Sequence, residues 1–161
     1  MPGAEVADMR RKPVICLSVL LILSALVVGC GTGGGLSVPV KIENADHVGA
    51  IALNLLYDSS VLKVTAVNVG DLAKGSSAQW AIVGPGKLKV VVQNAKYMNG
   101  DGTLVTVKCK ALNSTGSSTL AIQVLGAISA DTGEDVGTQV TDGTFTASNE
   151  SVEAPVISLG A

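Results

Sequence analysis

Cys30 carries the strongest chemical signature in the chain. It closes the run Leu26-Val27-Val28-Gly29-Cys30, behind the basic cluster Arg10, Arg11 and Lys12 and an uncharged stretch over residues 14–28. That stretch falls short of the roughly 20 residues a spanning helix needs and suits the apolar core of an export signal. A cysteine directly after a small residue at its end reads as a bacterial lipobox. The expectation is cleavage before Cys30 and acylation of its sulfur, which would hold the mature chain to a bacterial membrane or cell surface. Each buried methylene contributes about 0.8 kcal/mol, so several acyl chains make a lasting anchor. An uncleaved membrane segment with an incidental cysteine is the alternative. Residues 1–8 precede Met9, are a candidate over-extended start, and carry no structural expectation.

The other residues of chemical interest promise less. Cys16 leaves with the signal, so Cys109 remains without a partner for an intramolecular disulfide. At an inward strand position it reads as a buried, inert thiol. The single histidine, His47, stands beside Asp46 in a turn over residues 44–49. No Gly-x-Ser-x-Gly elbow accompanies it, so a solvated histidine is the reading. Asp131, Glu134 and Asp135 lack the spacing of a calcium loop and read as an acidic turn. Asn113 and Asn149 match glycosylation acceptors, a match that means little on a bacterial export route. Trp80 and Tyr97 are the candidates for stacking on a sugar ring, a poor platform by number. No metal site, cofactor site or catalytic pair is expected, and the chain does not read as an enzyme.

Positioning falls to strands. Of 161 residues 47% are apolar, only four are aromatic and nineteen are glycine, a composition that suits many short strands joined by turns. Past residue 29 there are eight lysines, no arginines and eleven acids, which makes nucleic acid an unsuitable partner. The organising stretch is residues 49–70. Ile51, Leu53, Leu55 and Tyr57 alternate with Ala50, Ala52 and Asn54, which predicts one core face and one outer face. Asp58 then predicts a tight corner, its carboxylate accepting the N–H of Ser60 or Val61, with Val61 and Leu62 plugged into the core. Before it, residues 36–44 predict a strand with Val38, Val40 and Ile42 inward. After it come strands near 78–83, 87–93, 103–109, 117–129 and 139–147, with a strong turn at Asn99-Gly100-Asp101-Gly102. An apolar tail, residues 152–159, could add one strand more.

The pattern of Gly49, leucine at 53 and 55, and Tyr57-Asp58-x-x-Val61-Leu62-x-Val64 resembles the signature of cohesin domains, the receptor modules that bind dockerins in cellulosomes. Gly102-Thr-Leu-Val-Thr-Val-Lys-Cys-Lys-Ala111 is similar to a later strand of that family, and Asp142-Gly143 follows in the family's order. The resemblance implies an all-β, jelly-roll β-sandwich of about eight or nine strands over residues 37–147. It follows a signal peptide (1–29) and a lipidated, Gly-rich spacer (30–36), with residues 148–161 as a tail. It also implies a partner lying on the outer face of one sheet, here expected to expose Asn54, Lys89, Val91, Gln93, Thr106, Lys108 and Lys110. Two departures accompany it. The strand that usually precedes the Val38-Pro39-Val40 element is missing, and Ala50 and Ala52 stand where polar partner contacts would fall. The implied function is a non-catalytic, membrane-tethered module capturing an extracytoplasmic protein, such as a dockerin-bearing polysaccharide-degrading enzyme. Direct carbohydrate binding, with Trp80 and Tyr97 stacking on polysaccharide, and a structural envelope role by strand addition are the alternatives.

Overall fold

The computed structural model describes residues 35–148 and 151–160; Cys30 and Asn149 lie outside them. The described residues form β1 (Leu36–Leu56), β2 (Leu62–Val69), β3 (Ser77–Gly84), β4 (Lys87–Ala111), β5 (Ser117–Ser129), β6 (Thr138–Thr141), β7 (Gly143–Thr146), β8 (Ser151–Glu153) and β9 (Val156–Leu159). No helix occurs among them.

Two long strands, β1 and β4, set the architecture. They pair antiparallel from Leu36 opposite Cys109 to Leu56 opposite Lys87, with register shifts clustered between Val40 and Ala50. The turns expected at 44–49 and 99–102 therefore do not end strands; they are bulges at which one continuous ladder bends. Asn44 and His47 take φ of 58° and 48° there, a left-handed backbone that non-glycine residues seldom adopt. Their N–H groups leave the ladder and find side chains instead. Asn44 N donates to Asp101 Oδ1 at 2.7 Å, and His47 N donates to Asn99 Oδ1 at 2.6 Å. A bulge satisfied in this way bends a sheet without orphaning its backbone.

The bend creates two layers. In the first, residues 36–43 of β1 and 102–111 of β4 are flanked by β2 on one side and by β9, then β6, on the other. In the second, residues 48–56 of β1 and 87–93 of β4 lie between β3 and β5. Residues 117–120 of β5 carry β7 and β8 beyond it. Val38, Val40 and Ile42 from the first layer and Ile51, Leu53 and Leu55 from the second join a single buried cluster. One core lined from both halves of the same strand requires the halves to face each other across it, so their outer surfaces point apart.

The corner after β1 has the expected construction. Asp58 Oδ1 accepts the Ser60 N–H at 2.8 Å and the Ser60 hydroxyl at 2.6 Å, while the Asp58 carbonyl accepts the N–H groups of Val61 and Leu62. Both of those side chains are buried, and Tyr57 packs against the core. The Tyr57 N–H donates to the Gly86 carbonyl at 2.9 Å, which ties the corner to the turn between β3 and β4.

The C-terminal segment is built in. β9 runs parallel to β1, with Val156, Ile157 and Ser158 opposite Lys41, Ile42 and Glu43, and antiparallel to β6. Ile157 and Leu159 point into the core. The chain passes so close to Gly143 that any side chain there would collide with the Glu153 carbonyl and Pro155. Residues 139–147, expected as one closing strand, are divided at Asp142 between β6 and β7.

Candidate functional site

The outer surface of the second layer is a nearly flat face built by strand alternation. From β1 it takes Ala50, Ala52 and Asn54; from β4, Lys89, Val91 and Gln93 lie directly beside them. On the far side of β1, Ile128, Gly126 and Gln123 of β5 stand opposite the same three residues. On the far side of β4, Ser77, Gln79 and Ala81 of β3 stand opposite Gln93, Val91 and Lys89. Ala50, Ala52 and Gly126, with Val91 beside them, thus form the middle of the face, and amides, Lys89 and the exposed Ile128 border it. No aspartate or glutamate occurs in these strand segments.

Two expectations about this face need correction. Asn54 is only 5% exposed, because it sits on a central strand between Lys89 and Gln123 and its longer neighbours cover it. Thr106, Lys108 and Lys110 do not share the face with Lys89. They belong to the first layer, since β4 bends between Gln93 and Gly102 and carries them to the opposite outer surface. Alternation within each half of β4 was legible, but the turn of one half over the other depends on bulges that alternation does not encode. The contributions of β5 and β3 were missed for a related reason. The register of β5 shifts between its partners for Ala52 and Leu53, which conceals that Gln123 and Ile128 share one side.

The candidate stacking residues are not brought together. Trp80, 40% exposed, sits opposite Val90 on edge strand β3, whose free side also exposes Ile82 and Val83. Tyr97, 50% exposed, stands at the bend of β4, and its ring lies 4.6 Å from that of His47. His47 is consequently less solvated than its turn position predicts. Its Nδ1 lies 2.7 Å from Asp46 Oδ1 and 3.8 Å from Asp131 Oδ2. This group ties the β1 bend to the loop before β6. The acidic turn holds its own backbone: Asp135 Oδ1 accepts the Ala127 N–H at 3.2 Å, and the Glu134 carbonyl accepts that of Ser129. Among the described residues no group of side chains could hold a metal ion. Burial pushes the Cys109 thiol up to about 11, which keeps it protonated and unreactive at neutral pH. Asn113 uses its side chain structurally, donating from Nδ2 to the Ser60 carbonyl.

The bent two-layer sandwich is an all-β architecture that presents the outer surface of its second layer as a sheet face. The cohesin domain model matches residues 27–147, and the chain belongs to the cohesin domain family. It is similar to Cellulose-binding protein A of Clostridium cellulovorans, with 26% identity over 100 residues, which cover 59% of this chain and 5% of that protein. Only a small part of that relative is therefore spanned. Among solved structures, the seventh ScaB type I cohesin of Pseudobacteroides cellulosolvens is 17% identical, with a TM-score of 0.54 over 82% of this chain and 86% of that one. The third ScaC cohesin of Acetivibrio cellulolyticus, solved in complex with the ScaB dockerin, is 12% identical, with a TM-score of 0.50 over 80% and 90%. At those identities the likeness establishes the jelly-roll fold.

Proposed function

We propose that this chain is a non-catalytic receptor, tethered to a membrane through acylated Cys30, that captures a dockerin-bearing extracytoplasmic protein on the outer face of its second layer. Membership of the cohesin family supports the class of function. The observation that carries the choice of face is its construction: a low middle of Ala50, Ala52 and Gly126, bordered by Lys89, Gln93, Gln79 and Gln123. A partner can approach such a middle closely, while the amides and Lys89 offer hydrogen bonds that fix its orientation. Alanine at positions 50 and 52 removes polar contacts and shifts the burden of recognition to this border. The captured protein would be a polysaccharide-degrading enzyme held at the cell surface.

The test presents the chain with each dockerin module encoded in the genome that carries it, and separately with a panel of plant-wall polysaccharides. The reading predicts saturable binding of at least one dockerin, lost in Ala52→Arg, whose side chain would stand up in the middle of the face. Binding confined to polysaccharide, and lost in Trp80→Ala or Tyr97→Ala, would replace it with the carbohydrate-binding alternative.

A further inference from the structure

The first layer carries an unbalanced charge pattern on its outer surface. Lys63 of β2 lies directly opposite Lys110 of β4, and Lys108 stands on the same side two residues along, its Nζ donating to Ser37 Oγ at 2.6 Å. Lys41 continues this surface on β1. Like charges directly opposite in a ladder destabilise a sheet. Glu43 of β1 is the acid on this outer surface; it stands two residues beyond Lys41, toward the bend, and accepts from the Ser158 hydroxyl, whereas residues 36–42, 62–69 and 102–111 contain no aspartate or glutamate. Asp46, Asp71, Asp101, Asp131, Glu134 and Asp135 lie around the bends, and Asp142 and Glu153 belong with β5, β7 and β8 rather than with this surface. Asp58, at the corner near the lysines, has its carboxylate engaged by Ser60. In a domain whose acids outnumber its lysines, Lys63, Lys108 and Lys110 thus make a cationic patch on the outer surface of β2 and β4.

The chain enters β1 beside this patch, where the proposed tether would join it. Leu36, the first residue of β1, pairs with Cys109, next to Lys110. Only five residues separate Cys30 from Leu36, so the six steps between them reach at most about 22 Å. Leu112, just beyond Lys110, is 47% exposed, and its N–H donates to the Val61 carbonyl beside the corner. An apolar side chain next to a cluster of lysines is the combination that sits well at a lipid headgroup boundary. We infer that Lys63, Lys108, Lys110 and Leu112 form a docking surface for the anionic headgroups of the membrane to which Cys30 is tethered. Contact there would orient the domain, turning the carboxylates around the bends away from the lipid and leaving the second layer's face free. The inference rests on the tether in the proposed function, but not on the identity of the captured partner.

Reconstitution of the full lipidated chain into vesicles tests it, using phosphatidylcholine alone and an equimolar mixture with phosphatidylglycerol. Lysine acylation by a water-soluble amine reagent is then followed residue by residue. One lysine near an anionic surface contributes about a fivefold preference for it. Labelling of Lys63 and Lys110 should therefore fall about fivefold or more in the anionic vesicles, while Lys89 on the opposite layer stays unchanged. High salt should restore it, because the Debye length shrinks to about 3 Å at 1 M. Lys108 should become as reactive as Lys89 on anionic vesicles when Lys63→Gln and Lys110→Gln are combined. A chain retained on both vesicles with equal labelling of Lys63 and Lys110 would overturn the docking surface alone. A chain that washes off both would overturn the tether, and the docking surface with it.

Discussion

Lys89 and Lys108 stand on the same strand, β4, yet project from opposite outer surfaces of the sandwich, because the strand bends between them. The separation assigns them different duties. Lys89 borders the face proposed to receive a protein, and Lys108 belongs to the cationic patch beside the proposed tether. The bend that divides them is supported by Asp101 and Asn99, which accept the N–H groups of Asn44 and His47.

The corner after β1 should be the most sensitive part of the core to truncation. Leu62 is 1% exposed and lies at the junction of the corner with β2. Leu62→Ala is expected to lower unfolding stability by about 2 to 5 kcal/mol, as cavity-forming changes in a packed core do. Urea denaturation followed by far-ultraviolet circular dichroism measures it, and a midpoint equal to that of the unaltered chain would show that the corner is not core.

Gly86 should tolerate no side chain. Its φ is +67°, and an added Cβ would collide with the Tyr57 carbonyl. Gly86→Ala should destabilise by more than about 1 kcal/mol, the usual scale for alanine forced into a left-handed conformation, because the collision adds to the backbone cost. Thermal unfolding of this variant beside Gly84→Ala, which meets nothing within 4 Å, separates the collision from a general effect of losing a glycine in the turn.

The inward faces of the strands and the corner could be read from alternation and from Asp58, because both depend on neighbours in sequence, whereas the jelly-roll arrangement was implied only by the resemblance to cohesins. Ile51, Leu53 and Leu55 were assigned inward by period alone, and Asp58 by its capping geometry. What sequence concealed was long-range. Asn54 has the right phase for exposure, and it is buried because two longer neighbours flank it from strands more than thirty residues away in sequence. The turn residues at 99–102 have the composition of a chain reversal, but the matching irregularity at 44–49 converts both into a shared bend. Neither half of that match can be inferred from its own stretch.

The C-terminal strand should contribute to stability rather than hang from the domain. Ile157 is fully buried and Leu159 nearly so, and fully burying one such side chain is worth about 1.5 to 3 kcal/mol. Truncation after Glu153 should lower stability by at least about 3 kcal/mol and accelerate amide exchange at Lys41, whose N–H donates to the Pro155 carbonyl. We propose that β9 occupies the place left by the family's missing first strand. Unchanged stability after truncation would contradict that.

Acid should weaken the fold through Asp71. Its Oδ1 accepts the Thr103 N–H at 2.7 Å, and this bond holds the carboxyl below its ordinary value of 3.8. A folded value below the unfolded one means that the contribution is present above the unfolded value and disappears as pH falls through the folded one. Stability should therefore drop between about pH 5 and pH 3, and Asp71→Asn should show a smaller drop over the same interval. Denaturant midpoints at the two pH values decide it. An equal drop in both proteins would remove Asp71 from the account.

The most direct measurement compares the two outer surfaces by titration calorimetry against the dockerin module that the chain captures. Lys89→Glu with Gln93→Glu alters the face proposed to receive the partner; Lys108→Glu with Lys110→Glu alters the opposite surface. Truncating or reversing a charge within an interface commonly costs several kcal/mol, whereas exposed changes elsewhere usually move stability by less than about half a kcal/mol. The account predicts that the first pair weakens binding at least tenfold while the second leaves it within twofold, with both variants folded. Weakening by the second pair and not the first would place the partner on the other layer and contradict it.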